Sequence, residues 1–246
     1  MLNDFRELLR QNRNYRYTWI GQVISEIGDH FNNIAVFSLV METTHSGLVV
    51  GGVMLSNGWD TPERAAAIRK FDLDAADFEA RHEVENPAWE CGQITLATYL
   101  ERTVFYKPRA FTPDEFRDFM FAQSRDLPEG HIVADELARS GRYLMAVVNN
   151  ESLDLNLYRI RTFGLRRSFS TFFSSCFVGA RKPDREIYRV ALDVTQSEPG
   201  KCLFIDDRAA NLATARQMGM HTIQFRDGAQ LRRELGEQAI VWQPSA

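Results

Sequence analysis

The sequence predicts an α/β protein: a doubly wound, Rossmann-like parallel sheet with a block of helices inserted near its start. Apolar runs ending in polar or acidic residues, YLMAVVNN (143–150), KCLFIDD (201–207) and HTIQF (221–225), alternate with helical patterns. Strands separated by helices of about 10–15 residues argue for parallel pairing. Between LVVGGVMLSNGW (48–59) and about residue 130, every periodic segment reads as helix. With 246 residues, 44% of them apolar and 25% charged, the chain can bury one core and a smaller accessory domain.

The elements follow in order. Residues 48–51 form a β-branched apolar run, a candidate first strand. Thr61-Pro62 opens a helix over 61–71, with proline at the first helical position. A second helix runs over 74–85 and is ended by Asn86-Pro87; a third covers about 93–105. Thr112-Pro113-Asp114-Glu115 is a capping box ahead of Phe116, Phe119 and Met120 at helical spacing. A helix at 131–140 stops at Gly141. After the strand at 143–150 come a helix (151–163), an apolar stretch to Val178 and a helix at 184–194 opened by Lys182-Pro183-Asp184. The strand at 201–207 leads into a helix at 209–218 closed by Gly219, and then the strand at 221–225. The core is therefore assigned to 48–60 and 131–246, the helical insertion to 61–130, and residues 1–47 to a separate N-terminal helical segment.

Composition removes several classes of function. A formal net charge of −4 without a basic stripe gives no footprint for nucleic acid. Three widely spaced cysteines form no CxxC, so a reducing, cytoplasmic setting is expected. No HExxH-like histidine cluster supports a zinc hydrolase. Residues 34–41 (IAVFSLVM) are too short to span a membrane, which takes about 18 or more apolar residues. They also sit too far in for a cleaved signal. Any membrane contact is left to residues 1–47.

In a parallel sheet ligands sit beyond the carboxyl ends of the strands. That rule gathers Asn149, Asn150, Lys182, Asp206 and Asp207 on one rim. Two adjacent carboxylates at a strand end suit a hard cation with oxygen ligands, although Asp207 equally suits a helix N-cap. Asn211 stands where it can orient a carboxylate. Lys182 is either a phosphate-holding point charge or a solvated lysine before a helix. The asparagines are either amide donors to phosphate or turn formers.

The order and spacing of these motifs resemble the haloacid dehalogenase-like hydrolase superfamily over about residues 50–240. GGVMLSNGW is similar to the tail of its first motif, VVNNES to its second and RKPDREIYRVAL to its lysine-bearing third. FIDDRAANLATARQMGMHTIQF is similar to its fourth over the full length. The resemblance implies a helical cap at 61–130 and phosphoryl transfer from a small phosphorylated metabolite through an aspartyl-phosphate. It implies Mg²⁺ held by Asp207 with Asp206, Lys182 beside the nucleophile and phosphate, and Asn149 and Asn150 on the phosphoryl group. Gly51, Gly52, Asn57 and Trp59 in the first loop are the implied substrate contacts. Dehalogenation is less favoured, since nothing argues for a halide site.

One position departs from the pattern. Aligning GGV puts the nucleophilic aspartate at position 49, which is Val49, and Gly51 takes the place of the second acid. Valine neither attacks phosphorus nor ligates a cation, so the expectation is an inactive or severely impaired hydrolase with weakened Mg²⁺ binding. The alternative is a non-catalytic phosphate-binding relative. Residues 5–51, with GQ…S..GD and a closing T-x-S-G-L, resemble the first helix of a major facilitator superfamily transporter. A fusion joined near residue 50 would carry the seam through the nucleophile's position and leave a membrane-tethering N-terminal helix. On pattern alone, the segment also suits a surface helix.

Overall fold

The computed structural model describes residues 47–51 and 53–240. The N-terminal segment expected at 1–47 lies outside them except for Gly47, and so does Gly52. Five strands, all parallel, form one sheet: β1 (Gly47–Gly51), β2 (Leu144–Asn149), β3 (Thr171–Ser174), β4 (Cys202–Asp206) and β5 (His221–Gln224). Their order is β3-β2-β1-β4-β5, so β1 is the middle strand. Val49 stands opposite Ala146 on β2 and Phe204 on β4, and Gly51 stands opposite Asp206.

The period of two in the strands sorts their side chains onto two faces. Met145, Val147, Leu203 and Ile205 enter one apolar layer, covered by α5 (Pro128–Arg139), α6 (Leu153–Thr162) and α10 (Gly228–Glu237). Ala146, Val148, Cys202 and Phe204 enter the other, covered by α8 (Arg185–Thr195) and α9 (Ala209–Gln217). Both faces are thus closed, as an all-parallel sheet requires.

Between β1 and β2 lie α1 (Thr61–Phe71), α2 (Ala75–Glu90), α3 (Leu96–Thr103) and α4 (Pro113–Ala122). They share a separate aromatic core of Trp59, Phe78, Trp89, Tyr99, Phe116 and Met120, to which Leu155 of α6 is added. Capping boxes start α1 at Asp60 and α4 at Thr112. The second helix does not end at Asn86-Pro87: it continues through Pro87 to Glu90. Burial accounts for the extra turn, because Trp89 is 2% exposed and stacks on Tyr99 at 4.0 Å between ring centres. That packing outweighs the missing proline N–H.

Other boundaries move for local reasons. The helix expected at 131–140 begins at Pro128, and the one at 93–105 shortens to begin after its N-cap, Thr95. Within the apolar stretch to Val178 stand β3 and a one-turn helix α7 (Ser175–Val178). Helix α10, which no motif announced, is capped by Asp227 through the Gln230 N–H.

Gly130 on α5 meets the loop after β1 closely enough that only hydrogen fits. A Cβ there would lie 2.0 Å from the Val53 carbonyl oxygen. Gly130→Ala is expected to lower stability by about 2–3 kcal/mol, read by urea unfolding, because backbone rather than a flexible side chain must give way.

Candidate active site

The rim at the carboxyl ends of β1, β2 and β4 is organised around Asp206, which is fully buried. Its Oδ2 accepts from Lys182 Nζ at 2.7 Å. Its Oδ1 accepts from Asn211 Nδ2 at 2.9 Å and from the Arg208 backbone N–H at 2.8 Å. A buried carboxylate keeps its charge only when paired and hydrogen-bonded, and here both oxygens are committed. Lys182, 6% exposed, is itself fixed from β2. Asn150 accepts the Lys182 backbone N–H at 2.7 Å and donates to the Lys182 carbonyl at 2.8 Å. Asn150 therefore positions the lysine.

Asp207 has a different environment. Its closest amide donor is Asn57 Nδ2 at 3.5 Å, and it does not cap α9; that position is taken by Arg208, without a side-chain cap bond. Burial and the neighbouring Asp206 charge both raise its carboxyl above the usual range. Asn149 Nδ2 donates to Asn156 Oδ1 at 3.2 Å, while its own Oδ1 is buried with no partner among the described residues.

The first loop is strapped to this rim by residues the motifs did not single out. Arg159 of α6 pairs with Glu151 at 2.5 Å and also donates to the Ser56 carbonyl. Gly58, at φ +74°, leaves the room: a Cβ there would lie 2.4 Å from Arg159 Nη1. Asp60 caps α1 and pairs with Arg208 at 2.5 Å. Burial pushes the Glu151 carboxyl up to about 7, aided by Glu90 and opposed by Arg159. Eight residues separate Glu151 from Arg159, a spacing without a motif.

The rim and the helical block enclose a cavity of about 450 Å³, lined among others by Asn57, Trp59, His82, Asn149, Lys182 and Asp207. The structure thus brings Asn57, Trp59, Asn149, Asn150, Lys182 and Asp207 together around one space. Asp206 lies behind its wall, and Gly51 joins the rim through its register with Asp206.

A family model described as haloacid dehalogenase-like hydrolase matches residues 50–219, well over half of the chain. The protein is a haloacid dehalogenase-like hydrolase family member. Among solved structures, a HAD family enzyme from Bacteroides thetaiotaomicron superposes with a TM-score of 0.63 at 18% identity, covering 74% of this chain and 94% of that one. That enzyme was also solved with magnesium and inorganic phosphate. A HAD phosphatase from Thermococcus onnurineus gives a TM-score of 0.55 at 15% identity, over 78% of this chain and 98% of its own. At these identities the likeness is one of fold.

Closer in sequence over a short segment are two curated proteins. Bifunctional epoxide hydrolase 2 of Rattus norvegicus is 44% identical over 71 residues, which is 29% of this chain and 13% of that protein. Flavin mononucleotide hydrolase 1 of Arabidopsis thaliana is 38% identical over 68 residues, 28% of each. The matches therefore span well under a third of these relatives.

The residues of this haloacid dehalogenase-like chain do not fit a resident magnesium ion. Asp206 has both oxygens engaged, Asp207 is the acid left at the rim, and Val49 and Gly51 stand at the implied acidic positions. No group of three or more His, Cys, Asp or Glu placed to hold a metal occurs among the described residues. Protein-bound Mg²⁺ is held by one or two carboxylates with waters and substrate phosphates. Of the acidic pair Asp207 alone is open to it, so the rim lacks the second carboxylate of a resident site.

Two measurements probe the rim. Lys182→Met leaves Asp206 as an unpaired buried charge and should cost about 3–4 kcal/mol in urea unfolding. Adding Asp206→Asn should recover part of that loss. Glu151 has an ordinary value of 4.5 and a folded value of about 7, so folding takes up a proton between them. Stability of the wild type relative to Glu151→Gln should fall as pH rises from about 4.5 to about 7, by on the order of 3 kcal/mol. It should stay level above and below that window.

Proposed function

We propose that this protein descends from Mg²⁺-dependent small-molecule phosphatases and retains their phosphate-binding corner, with turnover severely impaired or lost. The observation that carries the reading is the register of β1. Val49 lies beside Phe204 of β4 in the middle strand, and Gly51 lies beside Asp206. The strand end that should present a nucleophilic carboxylate therefore presents none, while the lysine, the acidic pair and the asparagine rim remain. In an aspartyl-phosphate mechanism the carboxylate attacks phosphorus, and losing a covalent nucleophile removes nearly all turnover.

On this reading Lys182 retains ammonium N–H donors beyond the one given to Asp206, and Asn149 keeps a second amide hydrogen; both turn to a phosphoryl group. Asn57 and Trp59 contact the rest of a small phosphorylated metabolite. The α1–α4 block acts as the cap over the cavity, and Mg²⁺ binds too weakly to be resident, for want of the carboxylate at position 49. Nucleic acid is not a partner. No described helix is long and apolar enough to cross a membrane. A cytoplasmic setting is in keeping with three widely spaced cysteines that form no CxxC, and membrane tethering would fall to residues 1–47 alone.

A purely binding role is the second reading, favoured by the buried Lys182–Asp206 pair, which keeps the corner organised without chemistry. An aspartate-to-alanine variant of the Bacteroides enzyme was solved with magnesium and inorganic phosphate, which supports phosphate binding by a member of this fold that has lost an aspartate. That the family match begins at residue 50 supports a join near that point between segments of different origin.

The test is a gain of function. Wild-type protein with Mg²⁺ and p-nitrophenyl phosphate should stay at background. Val49→Asp should raise Mg²⁺-dependent phosphate release by about a hundredfold or more, given what a nucleophile contributes. Robust wild-type turnover overturns the impaired-enzyme reading. Phosphate binding without turnover in Val49→Asp favours the binding role.

A further inference from the structure

The helical block sends one titratable ring into the cavity: His82 of α2, which is 7% exposed. Its tautomer follows from pairing three side chains in series. Trp59 Nε1 donates to the Tyr99 hydroxyl at 3.1 Å, and an indole nitrogen can only donate. His82 Nδ1 lies 2.8 Å from the same oxygen, and giving it the Tyr99 hydrogen is the arrangement that pairs the buried phenol O–H. An imidazole that accepts at Nδ1 carries its proton on Nε2. Among the described residues no protein acceptor meets Nε2.

The surroundings hold that ring neutral. Burial acts first, Arg64 and Arg181 add repulsion, and the opposing pull of Asp60 is smaller, so the imidazole is pushed down to about 3. Phe78 is stacked on one side of the ring and Tyr99 stands edge-on. The charged neighbours are already engaged: Arg64 with Glu79 and the Trp59 carbonyl, Arg181 with Glu90, and Asp60 with Arg208. His82 Nε2 thus offers the cavity a fixed, uncharged N–H.

We propose that His82 is a specificity-determining contact, whose Nε2–H takes an uncharged oxygen acceptor on the non-phosphate part of a small phosphate monoester. A hydroxyl or carbonyl oxygen satisfies it. An ammonium group at the same place meets a donor with a donor and is rejected, because Nδ1, the ring's only acceptor, is occupied by Tyr99. Tyr99 is the positioning residue, acting through the tautomer it imposes. The inference rests on the phosphate reading of the same cavity and adds the chemical class of the ester.

The test uses the full chain and calorimetric titration with inorganic phosphate, 2-hydroxyethyl phosphate and the isosteric 2-aminoethyl phosphate. The hydroxyl ester should bind about tenfold more tightly than the amine, the scale of one hydrogen bond made or lost. Tyr99→Phe keeps the ring that stacks on Trp89 but releases Nδ1. The ratio should then fall to about threefold or less while inorganic phosphate affinity is unchanged, separating the tautomer's effect from the charge difference between the esters. Nitrogen-15 shifts of the imidazole should report Nε2–H in the wild type, neutral down to about pH 5, and a mixture in Tyr99→Phe.

Equal affinity for the two esters in protein that binds inorganic phosphate overturns the role of His82 alone, as does an Nδ1–H tautomer. Failure to bind inorganic phosphate overturns the phosphate reading and the ester specificity with it.

Discussion

The Lys182–Asp206 pair is the constraint around which the rim is arranged. A carboxylate with no exposure beside a nearly buried ammonium is tolerable only if every remaining donor and acceptor nearby is placed to serve it. Asn211, the Arg208 N–H and the two bonds from Asn150 to the Lys182 backbone do this. They come from separate places: Asn150 just after β2, Arg208 at the N-cap of α9 and Asn211 within its first turn. The pair thus fixes where the strand ends stand relative to one another. Of the two adjacent acids it leaves Asp207 facing the cavity, its charge disfavoured by the one behind it.

That arrangement shows how this fold stands without an aspartate at position 49. The middle strand needs side chains suited to two parallel neighbours, and LVV supplies β-branched and apolar ones. An aspartate at position 49 would answer to catalysis, and the pairing of β1 with β2 and β4 is made by backbone, which valine provides equally well. Stability therefore depends on the apolar layers and on the Lys182–Asp206 network, while turnover depends on a side chain that neither one requires.

How much of this could be read from the chain follows from how local each signal is. β2, β4 and β5, the capping box at Thr112 and the lysine ahead of α8 are written in a few consecutive residues, and they stand where those residues predict. β3 is four residues in a run of phenylalanine and serine, too short for alternation to distinguish it from a turn. The last turn of α2 depends on Trp89 finding Tyr99, a contact that the Pro87 signal hides. Asp207 looked like an N-cap because it precedes a helix, yet Asp206 accepts the Arg208 N–H instead. The strap from Glu151 through Arg159 to Ser56 joins residues up to 103 apart in sequence, and no spacing rule reaches that far.

The helical block carries information of another kind. Its core is aromatic and closely packed, so most of its polar atoms would be costly there unless paired. Trp59, Tyr99 and His82 resolve this by bonding in series, and the series has a direction when every donor is paired: Trp59 donates at one end and His82 presents its N–H at the other. Trp59 belongs to the first loop of the sheet domain, whereas His82 belongs to the block, so the direction is set on one side of the cavity and expressed on the other. The residue at position 49 of β1 takes no part in that series. On the proposed reading, selectivity for what fills the cavity and turnover of what fills it are therefore properties of separate residues.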